Sequence, residues 1–163
     1  MSMFDNDQYR WRETYFVLFD SAHRPTLKAM EKKIAVLNNR YVLTNCRGDK
    51  HGRFESLSVV SPDDFAALDI SYLGGKEVRE AAVTLAKELR GDVPRCEQAP
   101  ELRRLAEADG RFDVLHFEMV ADAGDGDEPD EMFDPSTLLL VLEALVEMTG
   151  GIAVDPQSGT ILQ

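Results

Sequence analysis

Glu13-Thr14-Tyr15-Phe16-Val17-Leu18-Phe19 is rich in β-branched and aromatic residues, with apolar side chains on both alternating faces. A strand that reads this way is buried on both sides and sits centrally in its sheet. Asp20-Ser21-Ala22-His23-Arg24-Pro25 breaks the strand and offers a helix start with proline near the first turn. Leu27, Met30, Ile34 and Leu37 then recur at helical spacing as one apolar stripe, closed by Asn38-Asn39. Tyr41 to Cys46 and Phe54 to Val60 read as two further strands, joined by the polar loop Arg47-Gly48-Asp49-Lys50-His51-Gly52.

Beyond Ser61-Pro62-Asp63-Asp64, the apolar Leu68, Ile70 and Tyr72 alternate with Asp69 and Ser71, a half-buried strand ending at Gly74-Gly75. Lys76 to Arg90 is an amphipathic helix with Val78, Ala82, Leu85 and Leu89 on one face, stopped by Gly91. A connector from Val93 to Pro100 leads to a short charged helix, Glu101 to Ala108. Phe112 to Val120 is again apolar on both faces. Asp134-Pro135-Ser136 opens a helix that runs to Met148 and ends at Gly150-Gly151. Ile152-Ala153-Val154 and Thr160-Ile161-Leu162 flank Asp155-Pro156-Gln157-Ser158-Gly159, a hairpin by its turn residues.

Residues 12–60 and 111–162 thus share one order of elements: strand, helix, strand, hairpin loop, strand. The expectation is a single α+β domain over 1–163, a mainly antiparallel sheet with helices packed on it. Its parts are a first βαββ unit at 12–60, a connecting strand and helices at 61–110, and a second βαββ unit at 111–162. The order resembles that of ferredoxin-like α+β sandwiches in general, with βαββ pseudo-duplication as one reading; residue-level similarity between the halves is poor. That fold hosts many unrelated functions, so the resemblance implies no activity.

Composition bounds the function classes. The chain has 163 residues, 44% hydrophobic and 29% charged, which gives one core and excludes a disordered tail. Its longest apolar run, Leu138 to Met148, carries two glutamates and falls short of a membrane span. Lys and Arg total 18 against 30 Asp and Glu, a formal net charge of -12, which argues against nucleic acid as a partner. The charge is uneven. Residues 1–60 hold ten basic and seven acidic side chains, a net of +3, so the remainder carries -15. Seven acids and no base fall between Asp122 and Asp134, the pattern of an exposed loop. The N-terminus lacks the form of a secretory signal, and Cys46 and Cys96 lie far apart with no CxxC spacing. The expected compartment is the cytoplasm, with both thiols reduced.

Few residues carry a chemical signature. His116 and Glu118 lie two apart on one strand and share a face, as two metal ligands or an acid–base pair would. No third ligand is spaced to complete a metal site, and a histidine hydrogen-bonded to its neighbour is the simpler reading. Asp20, Ser21 and His23 sit at a strand end, where functional residues collect, but no nucleophile elbow surrounds Ser21. Tyr72-Leu73-Gly74-Gly75-Lys76 matches no phosphate-binding loop and reads as a tight strand-to-helix turn. Reading Asp125 as the first EF-hand ligand puts Pro129 and Asp130 where an oxygen ligand and a glycine are needed, so the acidic loop is not a calcium loop. Cys46 reads as a buried thiol. No cofactor or metal follows from any of these.

Two surfaces point to association instead. Arg24, Lys28 and Lys32 form a basic stripe on the first helix. The helix from Asp134 to Met148 is apolar around almost its whole circumference, with only Glu143 and Glu147 as a polar stripe. A helix on one face of a sheet buries a third to a half of its perimeter, so this one needs a second cover. The leading expectation is a non-enzymatic interaction or regulatory domain that homodimerises through Leu138, Leu142, Leu145 and Val146, with the basic stripe assisting. Two alternatives stand beside it. One is a small-ligand binder or enzyme with a pocket near Asp20, His23, His116 and Glu118. The other is an acidic mimic or neutraliser of a basic partner.

Overall fold

The computed structural model describes residues 9–62, 65–92, 99–119, 136–157 and 160–162. Seven strands lie in these segments: β1 (Tyr9–Phe19), β2 (Val42–Gly48), β3 (Phe54–Ser61), β4 (Ala66–Gly74), β5 (Gly110–Met119), β6 (Ile152–Asp155) and β7 (Thr160–Leu162). The helices are α1 (Leu27–Ala35), α2 (Lys76–Asp92), α3 (Ala99–Ala106) and α4 (Ser136–Thr149), with a 3-10 turn at Ser21–His23. The strands form one sheet in the order β2-β3-β4-β5-β1-β6-β7, and every adjacent pair is antiparallel. The fold is α+β.

The two strands that read as apolar on both faces, β1 and β5, are neighbours along ten paired positions. Strict alternation makes β1 and β2 parallel, and likewise β5 and β6. Helix α1 therefore carries the chain past β5, β4 and β3, whereas α4 carries it past β1 alone. Both helices pack on the same face, and they travel in opposite directions from antiparallel strands. The two crossovers consequently share one hand, as crossover chirality requires.

Each face of the sheet has its own core. On one, Val17, Phe19, Leu57, Leu68, Ile70 and Phe112 meet Met30 and Ile34 of α1 and Leu138, Val141 and Leu145 of α4. Phe112 anchors this layer, with ring centroids 4.7 Å from Phe19 and 5.5 Å from Phe54. On the other face Leu18, Ile152, Val154 and Ile161 meet Ala82 and Ala86 of α2, Leu105 of α3 and Ala108 just after it. Alanines let these helices approach closely. The sheet is thus covered on both sides, which is why β1 ends in three consecutive buried residues, Val17, Leu18 and Phe19.

Helix starts follow local chemistry more closely than the stripe pattern does. Asp20 caps only the 3-10 turn, its side chain accepting from the Ala22 amide. Thr26 caps α1 by accepting from the Ala29 amide at 3.1 Å, so Pro25 precedes the cap instead of entering the helix. α2 runs through Gly91 to Asp92. Asp134 and Pro135, where the sequence opens this helix, and the acidic stretch 122–134 lie outside the described residues. At its other end α4 closes on Gly150, at φ +68°, whose amide donates to Val146 O at 2.8 Å. Gly151 follows against β1: a Cβ there would lie 2.6 Å from the Leu18 carbonyl oxygen. No helix among the described residues is long and apolar enough to cross a membrane.

Candidate functional site

The β1–β5 ladder decides where the titratable residues go. Near its open end the register runs Arg10 to Glu118 and Trp11 to Phe117, then resumes with Glu13 opposite His116. Arg12 is the extra residue of a β-bulge. In consequence Arg10, Arg12 and Glu13 all stand on the face that carries His116 and Glu118. Arg10 Nε donates to Glu118 Oε1 at 2.6 Å, a second Arg10 nitrogen also reaches that oxygen, and Arg12 Nη1 reaches it at 3.3 Å. Glu118 is 1% exposed, and its charge is compatible with burial because two guanidiniums meet it.

His116 is 0% exposed, with its Nδ1 3.7 Å from Glu13 Oε1. Burial pushes the imidazole below its ordinary pKa, and the neighbouring Glu13 carboxylate opposes that shift. Tyr15 donates its hydroxyl to the same Glu13 oxygen at 3.1 Å. Burial and then the Glu13 charge push the Tyr15 phenol up to about 12. The cluster joins two strands through buried charge, and a fully enclosed imidazole offers no surface to a substrate.

Asp20 and His23 lie at the other end of the same strand pair. Glu13 faces His116, and Asp20 follows Glu13 by seven residues, so about 23 Å of strand separates the two groups. The pocket expected from Asp20, His23, His116 and Glu118 together is therefore two places, because antiparallel register sends the ends of β1 and β5 apart. Around Asp20 and His23 there is a cleft of about 220 Å³, shared with Arg104, Glu107 and Gly151. Its side chains are engaged: His23 Nδ1 meets Thr149 O at 3.1 Å, and Arg104 donates to Gly150 O. Both satisfy carbonyls at the C-terminus of α4. Ser21 donates its amide and hydroxyl to Asp109, at 2.8 and 3.0 Å, instead of facing His23. Those bonds, the amide first, hold the Asp109 carboxyl below the usual carboxylate range.

The remaining candidates resolve individually. Arg24 leaves the basic stripe: it donates to Phe54 O at 2.7 and 2.9 Å and lies over the Tyr72 ring at 4.0 Å, with its side chain 12% exposed. Lys28 and Lys32 are exposed. Gly75, at φ +109°, makes the turn from β4 into α2. Burial pushes the Cys46 thiol up, away from nucleophilic character. Among the described residues no group of three His, Cys, Asp or Glu side chains could hold a metal ion.

Helix α4 carries the surface that is left. Leu138, Leu142 and Leu145, expected at a partner interface, are 2%, 4% and 0% exposed and belong to the core. The second cover that the helix requires comes partly from α1, which Lys33 ties to Glu147 at 3.0 Å. Leu139 and Leu140 stay out, 58% and 42% exposed. On the flank toward the sheet edge, Leu139 and Val146 stand over an open groove floored by the buried Leu142 and Ala153 and bounded by β7 at Ile161, which itself packs in the core of the opposite face. Its volume is about 840 Å³, and its remaining lining residues are Glu143 and Glu147. Sequence periodicity marked the helix as over-apolar but named its inner face, because the all-round pattern does not say which side the sheet takes. No family model, curated protein or solved structure matches the chain.

Proposed function

We propose that the protein is a non-enzymatic interaction module that docks a protein partner in the groove between α4 and the β6–β7 hairpin, in a reducing cytoplasm. One observation carries the reading: Leu139, 58% exposed, stands over a largely apolar groove of about 840 Å³. Supporting it, the residues with chemical potential are engaged elsewhere. His116 is enclosed, His23 and Arg104 cap α4, and Ser21 is bound to Asp109. A homodimer and a complex with another protein are the two forms the docking takes.

The test is a displayed peptide library selected on the wild-type chain and counter-selected on Leu139→Glu, with sedimentation velocity of the chain alone at micromolar concentration. Binders, or a dimer, that Leu139→Glu abolishes are the expected result. A chain that stays monomeric and yields no groove-dependent binder would overturn the proposal.

A further inference from the structure

We infer that the occupant of the α4 groove is a cationic amphipathic helix from another protein. The inference rests on the docking reading above and names the partner. Shape supplies the first argument. Leu139 and Val146 lie about two helical turns apart on one flank of α4, with Leu142 buried between them, an apolar stripe of the kind that packs against a second helix. A partner strand has poorer footing. β7 is three residues long, and β2, the other edge, is broken by Asn45 at φ +51° and two register shifts.

Charge supplies the second. The polar lining of the groove is Glu143 and Glu147, and no basic residue is among the described residues that line it. The chain as a whole carries -12, so the surrounding field draws cations. Lys33 reaches Glu147 from α1, but that pair is exposed, and a partner's lysine exchanges with it at little loss. Lys28 and Lys32 point away from α4 by helical periodicity and do not neutralise the rim. An acidic rim equally rejects fatty acids and other anionic amphiphiles.

Symmetry argues against a second copy. Two α4 helices packed about a twofold axis near the middle of the helix bring Glu143 against its symmetry mate, between chains that each carry -12. A cationic helix meets the same surface with its apolar stripe on Leu139 and Val146 and its lysines on the two glutamates.

The experiment uses the full chain and two labelled synthetic peptides of the 14-residue length of α4. One is an amphipathic Leu/Lys helix, the other a Leu/Glu helix with the same apolar stripe, and binding is read by fluorescence anisotropy. The Leu/Lys peptide is expected to bind, and Leu139→Glu to weaken it about tenfold, with circular dichroism confirming the fold. Glu143→Lys with Glu147→Lys is expected to reverse the preference toward the Leu/Glu peptide. Equal binding of both peptides, still sensitive to Leu139→Glu, would overturn the cationic partner and leave the docking reading standing. Leu/Lys binding insensitive to Leu139→Glu would mark bulk attraction to an acidic chain and overturn the inference. A dimer dispersed by Leu139→Glu would make the occupant a second copy, overturning the inference and keeping the groove. Binding of neither peptide by a monomeric chain would count against both.

Discussion

Glu13 faces His116 across the β1–β5 ladder, with Oε1 3.7 Å from Nδ1, because β1 carries one residue more than its partner at this point. In a regular ladder continuing from Arg10 opposite Glu118, Arg12 would oppose His116 and set a cation against a buried imidazole. The bulge puts an acid there and leaves Arg12 to join Arg10 on Glu118. One extra residue thus sorts five charged or titratable groups into compatible neighbours.

The Glu118 pairs should respond asymmetrically. Arg10→Met with Arg12→Met strands a buried carboxylate and should cost about 3–5 kcal/mol in urea unfolding. Glu118→Gln frees two arginines whose side chains are 54% and 32% exposed and already reach water. Its cost should be smaller, about 1–2 kcal/mol. Equal losses would contradict the account of the cluster.

His116 makes the fold acid-sensitive, and the sign follows from its lowered pKa. Because the folded state holds the imidazole neutral, the unfolded chain binds more protons between the two pKa values. Stability is therefore full above the unfolded histidine value of about 6.5 and is lost progressively as pH falls from there through the lower folded value. Glu13→Gln removes the group that opposes the shift, so the His116 pKa should fall further and the loss should extend to lower pH. Histidine NMR titration checks the first statement and urea midpoints across pH check the second.

Leu145 and Leu139 sit on the same helix with opposite roles. Leu145→Ala should cost about 2–5 kcal/mol, as a core truncation does. Leu139→Ala should stay within about 0.5 kcal/mol, as at an exposed site. Thermal or urea denaturation of the two variants separates the core face of α4 from its outer face.

Gly151→Ala should destabilise by about 1–3 kcal/mol, since its Cβ would press on the Leu18 carbonyl in a layer that cannot shift without moving β1. Thr26→Ala should cost about 1 kcal/mol through the lost cap of α1, measured by the same denaturation.

Much of the fold was legible from periodicity alone. Val17, Leu18 and Phe19 announce a strand covered on both sides, and the structure covers it with α1 and α4 on one face and α2 and α3 on the other. What periodicity could not supply was register. Nothing local in Arg10-Trp11-Arg12-Glu13 marks Arg12 as the bulged residue, because a bulge is defined against the partner strand. For the same reason the convergence expected of Asp20, His23, His116 and Glu118 depended on a ladder direction that only the structure supplies. Thr26 was hidden by the more conspicuous Asp20 and Pro25. The outer leucines of α4 were in plain view, but an all-apolar helix has no polar face to orient it.

The most direct test of the docking account is a methyl NMR titration of the full chain with the best peptide from the groove-dependent selection. The account predicts saturable shifts at Leu139 and Val146, with those of Met30 and Ile34 in the α1 core unmoved. Shifts centred on α1, or on the Asp20–His23 cleft with the α4 methyls unchanged, would contradict it.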